Sequence, residues 1–364
     1  MDAAILGFFG TYTQGVHGRA RGIYSFWWNT KTGGIDDISL AAESVNPSYL
    51  AVSPSKKYLY AVNEVYTFQG EPTGAVSAYS IEKESGALQF INRKISHGTA
   101  PCHIVINNRE THGVAANYSS GTLAVYPLGT DGVLGDACQI IRFDGTGPNR
   151  DRQEGPHAHS FMFDKKCAFG FACNLGADRI MAYAFAGDGK PPLKPAAVPW
   201  FSSAPGAGPR HGVFNSEGTA AYFLNELDST VDVLKYDPQG GSFARLQTLS
   251  TLPPDAQVNS ISAAIKISPN GRFVYASNRG HDSIAVFKVQ AGDKAAEGTL
   301  SFAGAVHTEG RTPRDFIIDP SGNFLLAAHQ DSDSLCVFRI DGDTGLFTKE
   351  WEYRLPAPVC VVLC

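Results

Sequence analysis

One short apolar hairpin is written seven times into this chain of 364 residues, and any fold it adopts must give all seven copies equivalent places. The pattern is clearest around Gly208-Pro209-Arg210-His211-Gly212-Val213-Phe214-Asn215. A strand starts at Arg210, the Ser216-Glu217-Gly218 turn reverses the chain, and a second apolar strand ends at Glu226. First-strand copies also run over Pro47–Val52, Pro101–Ile106, Ala158–Phe163, Ser262–Ile267, Pro313–Ile318 and Pro358–Leu363, with equivalent positions 45 to 57 residues apart. That spacing is the size of a propeller blade. Third strands such as Val76–Tyr79, Val231–Leu234 and Leu335–Phe338 follow, rich in β-branched and aromatic residues. Each leads through a Gly-containing turn into a more polar fourth strand. Four strands per repeat without a convincing helix predict an all-β, seven-bladed β-propeller of four-stranded antiparallel blades. It occupies residues 1–364 as a single domain.

The two chain ends complete the count. The last first-strand copy, Val359 to Leu363, has no second strand after it, whereas Ile5 to Thr11 matches a second strand and Gly22 to Phe26 a third. One blade is therefore expected to combine both ends, which closes the ring and leaves no long exposed edge.

Composition narrows the function classes. Apolar content of 43% is enough for a large core, and a formal net charge of −5 with no basic cluster argues against nucleic acid and anionic membrane as partners. Seven cysteines without a CxxC pair read as free thiols of a reducing, cytoplasmic compartment. The apolar run Ala3 to Phe9 follows Asp2 rather than a basic segment, and Thr11-Tyr12-Thr13 continues it as a strand. Neither a signal peptide nor a membrane span is expected. Nucleophile elbow, Gly-rich phosphate loop and HExxH are absent, and the His157/His159 pair has no companion ligands, so no metal or other cofactor is expected.

A hairpin brings its outer ends together. Hence strand starts and strand ends, sixteen residues apart in sequence, should surround one mouth of the central channel. The starts are Ser48, Cys102, His159, Arg210, Ala263, Arg314 and Val359, and the ends are Thr11, Glu64, Tyr118, Leu175, Glu226, Arg279 and Gln330. Residues scattered over more than 300 positions then form one charged constellation: three arginines, two carboxylates and His159. Arginine forks suit carboxylate or phosphate, and a carboxylate beside a histidine can move protons near neutral pH. A small anionic substrate fits such a funnel better than a protein partner.

Each of these residues also has a plainer reading. Arg210 and Glu226 could form a private ion pair, His159 could be a packed core residue, and His103 and His211 could point sideways. The recurring Asn63, Asn117, Asn174, Asn225 and Asn278 suit strand-to-loop corners, where Asn bonds local backbone. The Gly- and Pro-rich segment from Asp144 to Pro156, with Arg150 and Arg152, reads as a tolerated surface insertion in preference to a loop that shapes the pocket.

Gly-Pro-Arg-His at 208–211, Asn-Glu-Leu at 225–227, Pro-His-Ala-His at 156–159 and Asn46-Pro47-Ser48-Tyr49-Leu50 resemble the lactonase family of seven-bladed propellers over essentially the whole chain. That family includes bacterial cycloisomerase-type 6-phosphogluconolactonases and fungal carboxymuconate-lactonising enzyme. The resemblance implies hydrolysis of a sugar-acid lactone, foremost 6-phosphogluconolactone of the pentose phosphate pathway, with a small anionic lactone as partner. Muconate-type cycloisomerisation and a non-catalytic binding propeller are the alternatives. It implies His159, Glu226, Arg210 and Arg279 as catalytic residues. Glu226 would act on water, the two arginines on the anionic substrate and oxyanion, and His159 on the leaving ring oxygen, with the Glu and His roles open to exchange. Glu64, His103, Asn117, His157 and Arg314 are the candidate substrate contacts. A monomer or weak homo-oligomer is expected.

Overall fold

The computed structural model describes residues 4–187, 189–290 and 298–364. Asp2, used in reading the N-terminus, lies outside them. The described residues form seven four-stranded antiparallel sheets arranged as blades. Blade 1 is Leu50–Val52, Tyr58–Asn63, Ala75–Ile81 and Leu88–Ile95. Blade 2 is Pro101–Ile106, His112–Asn117, Thr122–Pro127 and Gln139–Arg142. Blade 3 is Ala158–Phe163, Phe169–Asn174, Arg179–Phe185 and Leu193–Ser202. Blade 4 is Pro209–Phe214, Ala220–Asn225, Thr230–Asp237 and Ser242–Ser250. Blade 5 is Ile261–Ile267, Phe273–Arg279, Ser283–Val289 and Leu300–His307. Blade 6 is Pro313–Ile318, Phe324–His329, Ser334–Ile340 and Phe347–Arg354.

Blade 7 takes its inner strand, Pro358–Leu363, from one end of the chain and Ala4–Thr11, Gly22–Asn29 and Ile35–Glu43 from the other. The seam is an antiparallel ladder running from Gly7↔Leu363 to Thr11↔Pro358. Each inner strand touches the inner strand of the next blade, all the way round. The only helical turn among the described residues is a 3-10 segment, Leu175–Ala177.

Burial explains the sequence pattern strand by strand. Second strands are covered on both faces by neighbouring blades, so Ala220–Asn225 and Phe324–His329 are buried at every position. Outer strands meet solvent, and Phe347–Arg354 buries only Phe347 fully. The core is accordingly seven apolar wedges, one between each pair of blades. Phe9, Phe26, Trp28, Phe324, Leu326 and Val337 fill the wedge between blades 6 and 7; Tyr222, Leu224, Val233, Ile265 and Val274 fill that between blades 4 and 5. Opening one seam would expose two such faces, so the ring is held by its closure as much as by any single blade.

Six of the seven inner strands carry a β-bulge near their start, five of them immediately after the first paired residue and blade 5 after the second. In blade 4, Pro209 pairs with Asn225 and His211 with Leu224, leaving Arg210 as the extra residue. His159, Cys102, Arg314 and Val359 occupy the same place in their blades, and blade 5 has its irregularity at Ala263–Ala264. A bulge residue has no partner opposite it, and its side chain is re-aimed.

Candidate active site

Glu226 is the centre of the mouth. It follows the second strand of blade 4, and its backbone N–H donates to Gly208 O at 2.7 Å. Gly208 has φ +67°, and a Cβ there would come 2.7 Å from Leu227 Cγ, so only glycine lets the two ends of the hairpin meet this closely. The Glu226 side chain is 3% exposed and is surrounded by cations. Oε2 receives Arg210 Nε at 2.9 Å and Arg279 Nη2 at 3.1 Å, with His159 Nε2 at 3.6 Å. Oε1 receives Arg152 Nη2 at 2.5 Å. Burial alone would raise the carboxyl pKa, but Arg279, Arg210, His159 and Arg152 outweigh it and hold Glu226 well below the usual carboxylate range. It is an anion throughout the physiological range.

His159 shows the opposite result from the same burial. Desolvation, reinforced by Arg210, pushes its pKa well below the ordinary imidazole value despite the pull of Glu226. The ring is therefore neutral at pH 7. Cys102 Sγ lies 3.8 Å from its Nδ1 and 3.2 Å from its carbonyl oxygen. Burial raises the Cys102 thiol beyond any physiological titration. The thiol hydrogen goes to the nearer acceptor, the carbonyl oxygen, and the ring turns Nε2 toward Glu226 Oε2 at 3.6 Å.

The arginines differ in their freedom. Arg210 is 3% exposed and donates from Nη1 to the Ala263 carbonyl and to His211 Nε2. Arg279 is 12% exposed, donates to Ser262 O at 2.9 Å, and has a buried Nε without a hydrogen-bond partner. Burial lowers its pKa to about 10, so it remains a cation at neutral pH. Arg314 packs its guanidinium 5.4 Å from the Tyr12 ring centre and donates to Gln330 at 3.3 Å; no carboxylate pairs with it among the described residues.

These groups enclose a cavity of about 280 Å³ lined by Tyr12, His17, Glu64, Tyr66, Ala100, Cys102, Tyr118, Arg152, His159, Glu226, Arg279, Arg314 and Gln330. Beneath it a narrow crevice continues between Ser48, Tyr49, Cys102, Arg210, His211, Arg314, Asp315 and Val359. A larger depression of about 530 Å³ lies at the opposite ends of the blades, by Ala4–Leu6, Trp27, Lys56, Lys83 and Cys364. It lacks an acid–base pair, so the smaller cavity is the candidate site.

The structure sorts the sequence-derived candidates. His159, Glu226, Arg279, Glu64 and Arg314 share the cavity, and Glu64 is bonded by the Tyr12 hydroxyl at 3.0–3.1 Å. Arg210 lies in the crevice below and reaches the cavity only through Glu226. His157 stands outside the lining: its Nδ1 is 3.1 Å from Tyr118 O, its Nε2 3.2 Å from Glu154, and its ring stacks on Tyr118 at 4.5 Å. His103 packs one layer down against Tyr49, at 4.2 Å between ring centres, and burial first, then Lys266 and Arg210, lowers its pKa to about 3. Asn117 has no place in the lining. It is fully buried and donates to Ser96 O at 2.8 Å and Thr122 Oγ1 at 3.0 Å, the corner role that Asn225 also plays.

Arg152 corrects the reading of residues 144–156 as a surface insertion. Gln153 is fully buried, donates to Leu175 O at 2.9 Å and Asp178 Oδ1 at 2.7 Å, and thereby pins the loop over the mouth. Its neighbour Arg152 reaches Glu226 and donates to the Tyr118 hydroxyl at 3.1 Å. Tyr12 and Tyr66 were likewise not among the candidates. A loop residue has no strand register from which its position can be counted; the two arginines in the lengthened repeat were the available signal.

With this geometry in hand, the comparisons with known proteins are consistent. Residues 7–363 match the model of the seven-bladed β-propeller lactonases, and the chain belongs to that family. It is 38% identical to a 6-phosphogluconolactonase of Bacillus subtilis over 98% of this chain and 97% of that one. The periplasmic gluconolactonase of Pseudomonas aeruginosa superimposes with a TM-score of 0.91 at 30% identity, covering 99% of both chains. A solved structure from Bacteroides fragilis gives a TM-score of 0.90 at 36% identity, over 100% of this chain and 98% of the other. No helix among the described residues is long and apolar enough to cross a membrane.

Proposed function

We propose that this chain hydrolyses the lactone of a phosphorylated sugar acid, 6-phosphogluconolactone, in the cytoplasm. The single observation that carries the reading is a buried carboxylate, Glu226, held among arginines beside a neutral His159 at the wall of a small cationic cavity. The 38% identity to the Bacillus subtilis 6-phosphogluconolactonase supports the choice of substrate, and seven free cysteines suit a reducing compartment.

In this reading Glu226 takes a proton from water as the water oxygen bonds to the lactone carbonyl. Arg279, which lines the cavity and stays a cation, stabilises the oxyanion. The carbonyl–ring oxygen bond then breaks. The proton that Glu226 took from water passes to His159 Nε2 and from there to the ring oxygen, so the imidazole is neutral before and after the cycle and the enzyme returns to its starting state. Arg210 is a positioning residue that fixes Glu226 from below. Arg314, without a carboxylate partner among the described residues, is available to the substrate phosphate. The lactone also opens unaided, so about 3–4 kcal/mol, the scale of one oxyanion donor, gives a useful rate.

The test is a rate assay with EDTA present on 6-phosphogluconolactone, unphosphorylated gluconolactone and carboxymuconate. Acceleration of the phosphorylated lactone above the others is expected. Turnover of carboxymuconate alone would move the chain to the cycloisomerase branch, and inactivity on all three by folded protein would remove the enzyme reading.

A further inference from the structure

The two oxygens of Glu226 are held differently. Oε2 is fixed by Arg210 and Arg279, which stand at strand starts or ends and are 3% and 12% exposed. Oε1 has one partner among the described residues, Arg152, which sits on a loop and is 35% exposed. The loop backbone is pinned by Gln153, so any movement of Arg152 is a swing of its side chain. Its Nη2 makes both of its side-chain bonds, to Tyr118 and Glu226; Nη1 and Nε make none among the described residues. A carboxylate with both oxygens engaged by cations is a poor base. A guanidinium with unused donors at a cavity mouth is a ready anion receptor.

We propose that Arg152 is a displaceable latch: the anionic group of the substrate draws it off Glu226 Oε1, and that oxygen becomes free to accept the proton of the attacking water. The proposal rests on the lactonase reading and adds to it a reason for selectivity. An uncharged lactone enters the same cavity but leaves the latch closed, so the base stays occupied. A phosphorylated lactone offers the stronger bidentate partner, and binding energy at a remote group is spent on activating the base. The proton balance is that of simple hydrolysis. Water loses a proton to Oε1, the ring oxygen gains one from His159, and Arg152 remains protonated throughout. When the product leaves, Arg152 returns to Oε1.

The experiment measures kcat/KM for the native protein and for Arg152→Ala on 6-phosphogluconolactone and on unphosphorylated gluconolactone, from about pH 8 down to about pH 3, which brings the acid limb into view. Phosphite dianion is added in a parallel arm with the uncharged lactone. The substitution is expected to lower the rate on the phosphorylated lactone by about tenfold or more, the scale of one charge-assisted hydrogen bond. It should raise the rate on the uncharged lactone, because Oε1 is then permanently open. Loss of a neighbouring cation raises the Glu226 pKa, so the acid limb of the pH profile should move to higher pH in the variant. Phosphite should activate the native protein on the uncharged lactone and have no such effect on Arg152→Ala.

A parallel fall on both lactones with an unmoved pH profile would overturn the latch in favour of a structural role. Unchanged rates on both would overturn it as well. If Arg152→Ala does not fold, the phosphite arm on the native protein decides: activation supports the latch and its absence removes it. Native protein that accelerates neither lactone would remove the lactonase reading, and the latch with it, a result distinct from all the others.

Discussion

The same seven inner strands present two levels of side chains that could hardly differ more. At the level of the bulge, which blade 1 alone lacks, they carry Ser48, Cys102, His159, Arg210, Ala263, Arg314 and Val359. Three residues further on they carry Ala51, Val105, Met162, Val213, Lys266, Ile317 and Val362, all partly buried. Most of the second set pack against the wedge shared with the next blade, as Val105, Met162, Val213 and Ile317 do. The lesson concerns constraint. A side chain in regular register must fill a wedge, so six of the seven are apolar. A side chain released by a bulge has no wedge to fill, and that position is open to charge and chemistry. Lys266 is the exception at the lower level, and it finds Asp315 at 3.2 Å.

The comparison can be broken most completely at the seam that holds both levels together. Removing Val359 to Cys364 deletes nearly all of the inner strand of blade 7 and uncovers the wedges on both sides. The expected outcome is loss of cooperative folding, read by far-UV circular dichroism and soluble yield. A truncated chain that melts like the native one would show that closure is dispensable.

A second substitution separates the levels energetically. Asp315 is about 5% exposed, pairs with Lys266 and accepts the Val361 N–H of the closing strand at 3.1 Å. Asp315→Ala leaves Lys266 without its partner and should lower stability by about 3–5 kcal/mol. Denaturant unfolding measures this, and turnover per folded molecule should be retained. Selective loss of turnover at native stability would make the lower level part of the site.

A pH titration of stability reads the buried histidines. His103, His159 and His211 all have folded pKa values below the unfolded value of about 6.5, because burial and nearby cations disfavour their charged forms. The unfolded chain therefore binds more protons below that pH. Stability is fully present above about 6.5 and is lost as pH falls, by about 1.4 kcal/mol per unit for each histidine. Thermal melts between pH 7 and 5 should show this slope, and His103→Asn should reduce it by one proton's share. The smallest effect belongs to the regular level: Met162→Leu keeps volume and should cost less than about 1.5 kcal/mol with activity retained.

Blade number, strand order and the closing blade could all be counted from the repeat, because each blade repeats its own hydrophobic pattern and turn. The pairing of Arg210 with Glu226 at a hairpin end followed from the same count. The bulges did not, since they add one residue without altering spacing between repeats. They explain why Arg210 turns toward Glu226 while His211, one position later, packs beside His103 at a ring-centre distance of 5.4 Å. The sequence offers Asn117 both as a recurring corner residue and as a substrate contact; it holds the corner and takes no part in the lining. Arg152 was hidden because its position depends on Gln153 reaching Asp178, a tertiary contact between a loop and a turn.

Glu226→Gln tests the central claim most directly, because it keeps the shape of the side chain and removes the charge around which the mouth is built. Its kcat/KM on the phosphorylated lactone at pH 7 should fall by at least about 10²-fold, with folding confirmed by circular dichroism. A folded Glu226→Gln protein that retains the native rate would contradict the account.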